Sequence, residues 1–202
     1  MSRKSLLLLL IFPITLFAQN IGWVYQHMPT ELTPILNSSQ RFELVENAKE
    51  GRYDTITNAL KGQSYITYYN EQQNLIKVAQ TGNSLLEIKT LPISTTDYFI
   101  VVIHTVSAPV SSSTITLYNN AWVKQNIQLP AFKTSDFLQP NHTLNEDELS
   151  DLTPIFISAE FSPSAESIVF TNQSHKTLPE KQQEQYLPFL QTYMIPIEQI
   201  LP

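Results

Sequence analysis

Four histidines, a serine-rich loop, an acidic cluster and a set of tyrosines and tryptophans are the side chains in this sequence from which chemistry could be built. His104 stands in the most apolar stretch beyond the N-terminus, Asp97 to Val106, alternating with Ile100 and Val102 on one face. A histidine there can serve as a general base in a pocket, but its commoner role is that of a hydrogen-bonded core or edge residue. His27, His142 and His175 lie apart in polar sequence and are expected to be exposed. No pair has the i, i+4 spacing of a helical zinc motif, so no metal site is assigned. Ser107 and Ser111 to Ser113 crowd one connector. No serine sits in a Gly-x-Ser-x-Gly elbow or a Ser-x-x-Lys motif, so no nucleophile is assigned and no catalytic residue is named.

Glu146, Asp147, Glu148 and Asp151 lack the alternating ligands and central glycine of a calcium loop. Carboxylates in a first helical turn complement the helix dipole, which accounts for the cluster. The aromatic side chains remain. Tyr65, Tyr68 and Tyr69 fall together, and Tyr118 and Trp122 bracket Asn119-Asn120. Exposed, Tyr65, Tyr69, Tyr118 and Trp122 would form a platform for a ligand or partner, because Tyr and Trp carry contact energy at interfaces. Strand alternation turns at least half of such residues inward, where they act as sheet formers. Asp54-Thr55-Ile56 fits a short acceptor pattern for O-glycosylation of exported bacterial proteins.

The elements that must position these residues are mostly strands. Ser64 to Tyr69, Leu75 to Ala79, Leu85 to Leu91, Asp97 to Val106, Thr114 to Tyr118 and Ala121 to Ile127 read as six strands. Short turns separate them, with Asn119-Asn120 a two-residue hairpin signal, so they form an antiparallel meander. The unbroken run Phe99 to Ile103 suits a strand buried on both faces. Upstream, Leu32, Ile35 and Leu36, then Phe42, Leu44, Val45 and Ala48, recur at helical spacing. Asn37-Ser38-Ser39 divides them as a stop and fresh N-cap, giving one helix behind Thr30 and a second ending at Gly51. Residues 130–153 are more polar, with a helical turn near Glu146 to Leu152. Strands follow at Pro154 to Phe161 and Ser167 to Asn172, then a helix over Pro179 to Thr192 that Pro188 kinks or ends, then an edge strand from Tyr193. The expected class is α+β: an antiparallel meander sheet with an N-terminal helix pair and a C-terminal helix packed on it.

The N-terminus reads as an export signal. Arg3 and Lys4 precede an apolar run from Leu6 to Phe17 that only Thr15 interrupts, and Leu16-Phe17-Ala18 ends it. The run is short for a bilayer span and contains Pro13, so cleavage between Ala18 and Gln19 is expected rather than anchoring. Residues 19–202 then form a single exported domain with no stable membrane anchor, periplasmic or secreted. Beyond residue 18 the chain carries 10 basic and 18 acidic residues, a net charge of −8. That balance excludes counterion-driven nucleic-acid binding. Cysteine is absent, so no disulfide, thiol nucleophile or iron–sulfur cluster is available. With only four glycines there is no glycine-rich phosphate loop, and no cofactor is assigned.

Several stretches resemble a family of exported Bacteroidales proteins, domain of unknown function 3256. They are Met28 to Leu36, Thr105-Val106-Ser107-Ala108-Pro109-Val110, Thr114 to Trp122, and Leu178-Pro179-Glu180 through Pro188-Phe189-Leu190. Members resembling this pattern often have cysteine in the loop after the Ala-Pro pair, where this chain has Ser111 to Ser113, so no thiol role there transfers. The resemblance implies export and a shared fold, with no catalytic residue carried over. The functional expectation is a non-catalytic exported binding or accessory protein whose partner is an envelope protein or a small ligand. The alternatives are an exported hydrolase using His104 or a carboxylate pair, and an inhibitor or chaperone-like partner of another envelope protein.

Overall fold

The computed structural model describes residues 20–202; the expected signal and both sides of its cut, Ala18 and Gln19, lie outside them. The chain opens with helix α1 (Ile21–Gln26), whose first turn is capped by the Asn20 side chain accepting from Gly22 N at 2.8 Å. Where a helix behind Thr30 was expected there is a single 3-10 turn, Thr30–Leu32. Prolines at 29 and 34 hold the chain out of longer helix on both sides.

Helix α2 (Ser38–Lys49) keeps the boundaries its signals predict. Asn37 and Gln40 form a reciprocal capping box, each side chain accepting from the other's backbone N–H at 2.9 Å. Gly51, at φ +75°, ends the helix in a conformation that costs a side chain. Its inward stripe differs from the expected one. Arg41, Leu44, Val45 and Ala48 are buried, whereas Phe42 faces out.

Seven strands follow in order: β1 (Ile56–Thr57), β2 (Gln63–Asn70), β3 (Leu75–Thr81), β4 (Ser84–Pro92), β5 (Tyr98–Ser107), β6 (Ser111–Asn119) and β7 (Lys124–Gln125). Each pairs antiparallel with the next, so the sheet is an uninterrupted meander. The short β1 extends the expected set, and β7 keeps only two residues of the strand predicted over 121–127. The turn before β7 is longer than two residues. Asn119 Oδ1 accepts from Ala121 N and Val123 N, while Trp122 takes φ +59°.

Downstream come helix α3 (Glu146–Ser150), strands β8 (Ile157–Phe161) and β9 (Ser167–Asn172), helix α4 (Glu180–Tyr186) and strand β10 (Tyr193–Pro196). The last three strands form a separate sheet in the order β10-β9-β8. Pro188 lies in a 3-10 turn, Leu187–Phe189, that finishes α4 early. Through Tyr186, α4 packs with Leu138, Leu144 and Leu152 in a small peripheral cluster, rather than on the large sheet.

Register sorts the large sheet into two faces. On one, Ile66, Ile76, Val78, Leu86, Ile88 and Ile100 pack beneath α1 and α2. On the other, Leu75, Val101, Ile103 and Leu117 pack with Phe137 and with Ala159, Phe161, Ile168 and Phe170 of the small sheet. Ile100, Val101, Val102 and Ile103 are therefore buried whichever way they point, which explains the continuous apolar run in β5. Each fully buried aliphatic side chain contributes about 1.5–3 kcal/mol.

α1 sits close to the sheet because residue 22 is glycine. A Cβ there would lie 2.7 Å from Tyr69 Oη and from Val45 Cγ1. No described helix is long and apolar enough to cross a membrane.

Candidate functional site

The small sheet meets the large one along a strand edge. In β8, Ala159 and Phe161 turn their amides away from β9 and toward the large sheet, where side chains receive them. Ser113 Oγ accepts from Ala159 N at 2.8 Å, and Glu87 Oε2 accepts from Phe161 N at 3.2 Å. Thr105 Oγ1 holds Ser113 Oγ at 2.7 Å. Alternation in the small sheet sends Ala159, Phe161, Ile168 and Phe170 into the second core. Ser158, Glu160, Val169 and Thr171 lie on the opposite face and look across the uncovered part of β2 to β4.

The corner between that face and the sheet is an open groove made of three adjoining cavities. One of about 410 Å³ lies over Tyr68, Leu75 and Lys77, against Glu160, Phe161 and Val169. One of about 510 Å³ runs past Tyr65, Thr67, Ala79 and Leu85. A third of about 210 Å³ reaches in to Glu87, Thr105, Ser158 and Thr171. Thr67, Leu85, Glu160 and Val169 are each shared between two of them. The larger two have the size typical of ligand clefts.

A bulge shapes the floor. The register of β2 against β3 shifts between Ile66 and Tyr68, and Thr67 is the extra residue. Thr67 and Tyr68 consequently line the same cavity, and Tyr69 is returned to the helix-covered face.

The charged centre of the groove is Lys77, Glu87 and Glu160. Lys77 Nζ lies 2.9 Å from Glu87 Oε2 and 4.0 Å from Glu160 Oε2. Glu87 is 1 % exposed and Glu160 is at the surface. Burial pushes the Glu87 carboxyl above the usual glutamate value, against the pull of Lys77 and the Phe161 amide. Its second oxygen, Oε1, has no hydrogen-bond partner among the described residues. Nearby, burial lowers the pKa of Lys89, whose Nζ donates to Gln73 O at 2.6 Å.

The aromatic candidates divide. Tyr65 is exposed and lines the groove. Tyr69, Tyr118 and Trp122 pack against the helix-side core. The Tyr69 hydroxyl lies 3.0 Å from Asn20 Oδ1 and 2.7 Å from Glu71 Oε1, so it anchors the start of α1. The Tyr118 and Trp122 rings meet at a tilt of 57° with centroids 5.5 Å apart. The four do not converge on one platform.

Among the histidines, His104 is exposed beyond the helices, with Nε2 2.8 Å from Ser84 Oγ. Burial of part of its ring lowers its pKa. Ser84 Oγ is also 3.3 Å from Gln80 Oε1, so its single proton has two acceptors to choose between. No carboxylate is hydrogen-bonded to the His104 ring among the described residues. His175, expected in exposed sequence, is buried in the turn Ser174–Thr177 that closes β9. His27 is exposed and stacks on Trp23 at 4.2 Å.

Asn145 and Glu148 form a capping box at α3, and Asp151 accepts from the Tyr186 hydroxyl at 2.7 Å, so Glu148 and Asp151 of the acidic cluster are committed to local structure. Among the described residues no three His, Asp or Glu side chains are placed to hold a metal ion. Thr55 is exposed just before β1.

Sequence reasoning missed Glu87 and Lys77. In Leu85-Leu86-Glu87-Ile88-Lys89 the charges alternate with apolar residues as they do on a solvated strand face. The one available signal was that β4 is a central strand of a long meander, whose outer face something must cover.

These features define an α+β protein in which a meander sheet, helices on one face and a small sheet standing on the other leave an open groove of mixed polar and apolar lining. Within that class the chain belongs to the family described as Protein of unknown function (DUF3256), whose model matches residues 13–195. The fold is shared with a solved domain of an uncharacterized protein from Porphyromonas gingivalis W83. That match has a TM-score of 0.71 at 20% sequence identity, covering 90% of this chain and 96% of that one. No curated protein matches the chain.

Proposed function

We propose that this protein is an exported, non-catalytic binding module whose ligand seat is the groove between the small sheet and strands β2 to β4. The observation that carries the reading is the continuity of the three cavities, which share Thr67, Leu85, Glu160 and Val169 between them. Export to the periplasm or beyond rests on the charge, apolar run and Ala18 of the N-terminus. A net negative chain with a hydroxyl-lined groove favours a small ligand over nucleic acid.

The test is native mass spectrometry of protein recovered from its own envelope, for wild type and Thr67→Trp. Thr67 is exposed on the bulge, so the indole fills the groove without entering a core. A ligand held by wild type and lost from the variant is expected. A protein partner retained by both would replace the groove with an accessory role, and an empty wild type would sink the reading. N-terminal sequencing should find Gln19 first.

A second reading, hydrolysis, is favoured by the 2.8 Å contact between His104 and Ser84. Unchanged p-nitrophenyl ester turnover in Ser84→Ala removes it.

A further inference from the structure

We propose that Thr55 is the acceptor of an O-linked glycan, attached to its hydroxyl once the chain has been exported. Such a modification depends on the proposed export and not on the groove. In Asp54-Thr55-Ile56 an aspartate precedes the hydroxyl residue and an aliphatic residue follows it, as the acceptor pattern requires. No other aspartate in the chain directly precedes a serine or threonine.

The fold gives this position what an attaching enzyme needs. Residues 49–55 are exposed without a break, from the end of α2 through Gly51 to the start of β1. Within that run Tyr53, Asp54 and Thr55 make no backbone hydrogen bond among the described residues. An enzyme can therefore draw the three into its own cleft without opening a helix or a ladder. The Thr55 hydroxyl also makes no hydrogen bond among the described residues. Those of Thr33, Ser84, Thr105 and Ser174 are instead engaged by Gln80, His104, Ser113 and the Pro154 carbonyl.

Alternation at β1 sets the direction of the side chain. Ile56 packs against the helix-side core, while Thr55 and Thr57 are exposed. A sugar on Thr55 consequently stands in solvent and displaces no packing, as a bulky hydrated group must.

The step is a group transfer from a phosphate-activated glycan. The Thr55 oxygen attacks the anomeric carbon and a C–O bond forms there. The bond from that carbon to the phosphate oxygen breaks, and the phosphate leaves with the electron pair. The hydroxyl proton passes to a base of the transferring enzyme, and nothing is oxidised or reduced.

The experiment digests protein recovered from its own envelope and reads two peptides by mass spectrometry, the N-terminal one and the one containing Thr55. Wild type and Thr55→Ser are expected to carry sugar at residue 55. Thr55→Val should lose it completely, while melting as the wild type does.

A processed N-terminus with a bare Thr55 leaves export standing and overturns the glycan. An unprocessed N-terminus with a bare Thr55 overturns both. Sugar found on a different hydroxyl, with Thr55 bare in wild type and the sugar retained in Thr55→Val, overturns the assignment to Thr55.

Discussion

On the helix side of the seven-stranded sheet, Arg41 and Asn58 are buried polar groups with most of their hydrogen bonds met. The Tyr25 hydroxyl and Arg41 Nε have no partner among the described residues. Arg41 is 2 % exposed, and its guanidinium donates to Leu36 O and Met28 O at 2.6 Å each. It thereby ties the end of α1, the turn after it and α2 into one cap over the apolar face. Asn58 does the same at the sheet's edge. Its Oδ1 accepts from Leu60 N and Gly62 N, and its Nδ2 donates to Ser64 Oγ and Gln80 O.

On the opposite side the polar groups stand at a junction between sheets. Glu87 and Ser113 bind the edge of β8, and part of their surroundings stays open. One face is finished as a core, while the other is held together by a few polar contacts beside a cleft. The difference teaches where substitutions should act on stability and where on binding.

The largest effect is expected at Arg41. Arg41→Ala strands two buried carbonyls and should cost about 3–5 kcal/mol in chemical denaturation, as breaking a buried charged network does. Arg41→Met, which keeps the volume and stem, should recover part of that loss. If Arg41→Ala proves neutral, the helix cap is held by apolar packing alone and the contrast between the faces dissolves.

Ser113→Ala comes next, at about 1–3 kcal/mol for the buried donor it leaves unmatched. Hydrogen exchange should quicken at the Ala159 amide and leave β3 and β4 protected. Uniform loss of protection would mean that the small sheet and the large one open together.

Glu87→Gln sharpens the comparison through pH. In the folded chain the Glu87 pKa lies above its ordinary value of 4.5 because of burial. Between the two values the folded state binds more protons than the unfolded one, so this group's contribution falls as pH rises through that window. Urea midpoints of wild type should therefore decline relative to Glu87→Gln from about pH 4.5 upward, before levelling. A constant difference between the two proteins would show that Glu87 is not buried as described. Smallest of all, Thr67→Trp should move stability by only about 0.5 kcal/mol, as surface changes do. A larger loss would mean that the bulge is closed by packing rather than open to the groove.

Much of the fold was legible because its signals are local. The apolar run of β5, the Asn37 cap and the Gly51 stop each act within a few residues, and each stands where the sequence puts it. What was not legible depends on contacts distant in sequence. Nothing near Arg41 says that it turns inward while Phe42 turns out; the carbonyls of Met28 and Leu36 decide that. Strands 157–161 and 167–172 carry ordinary strand patterns, and only their meeting with Glu87 and Ser113 sets them apart as a second sheet. Of the candidate site, Tyr65 was named in advance. Tyr69 was turned away by a one-residue bulge that no residue type announces.

The treatment of β8 bears on how this molecule behaves among copies of itself. A free strand border is a template on which another chain can lay down a strand and begin an assembly. Here the amides of Ala159 and Phe161 are already taken by side chains of the same molecule. An arriving strand finds those donors spent, so crowding alone gives this border no route to a growing fibre.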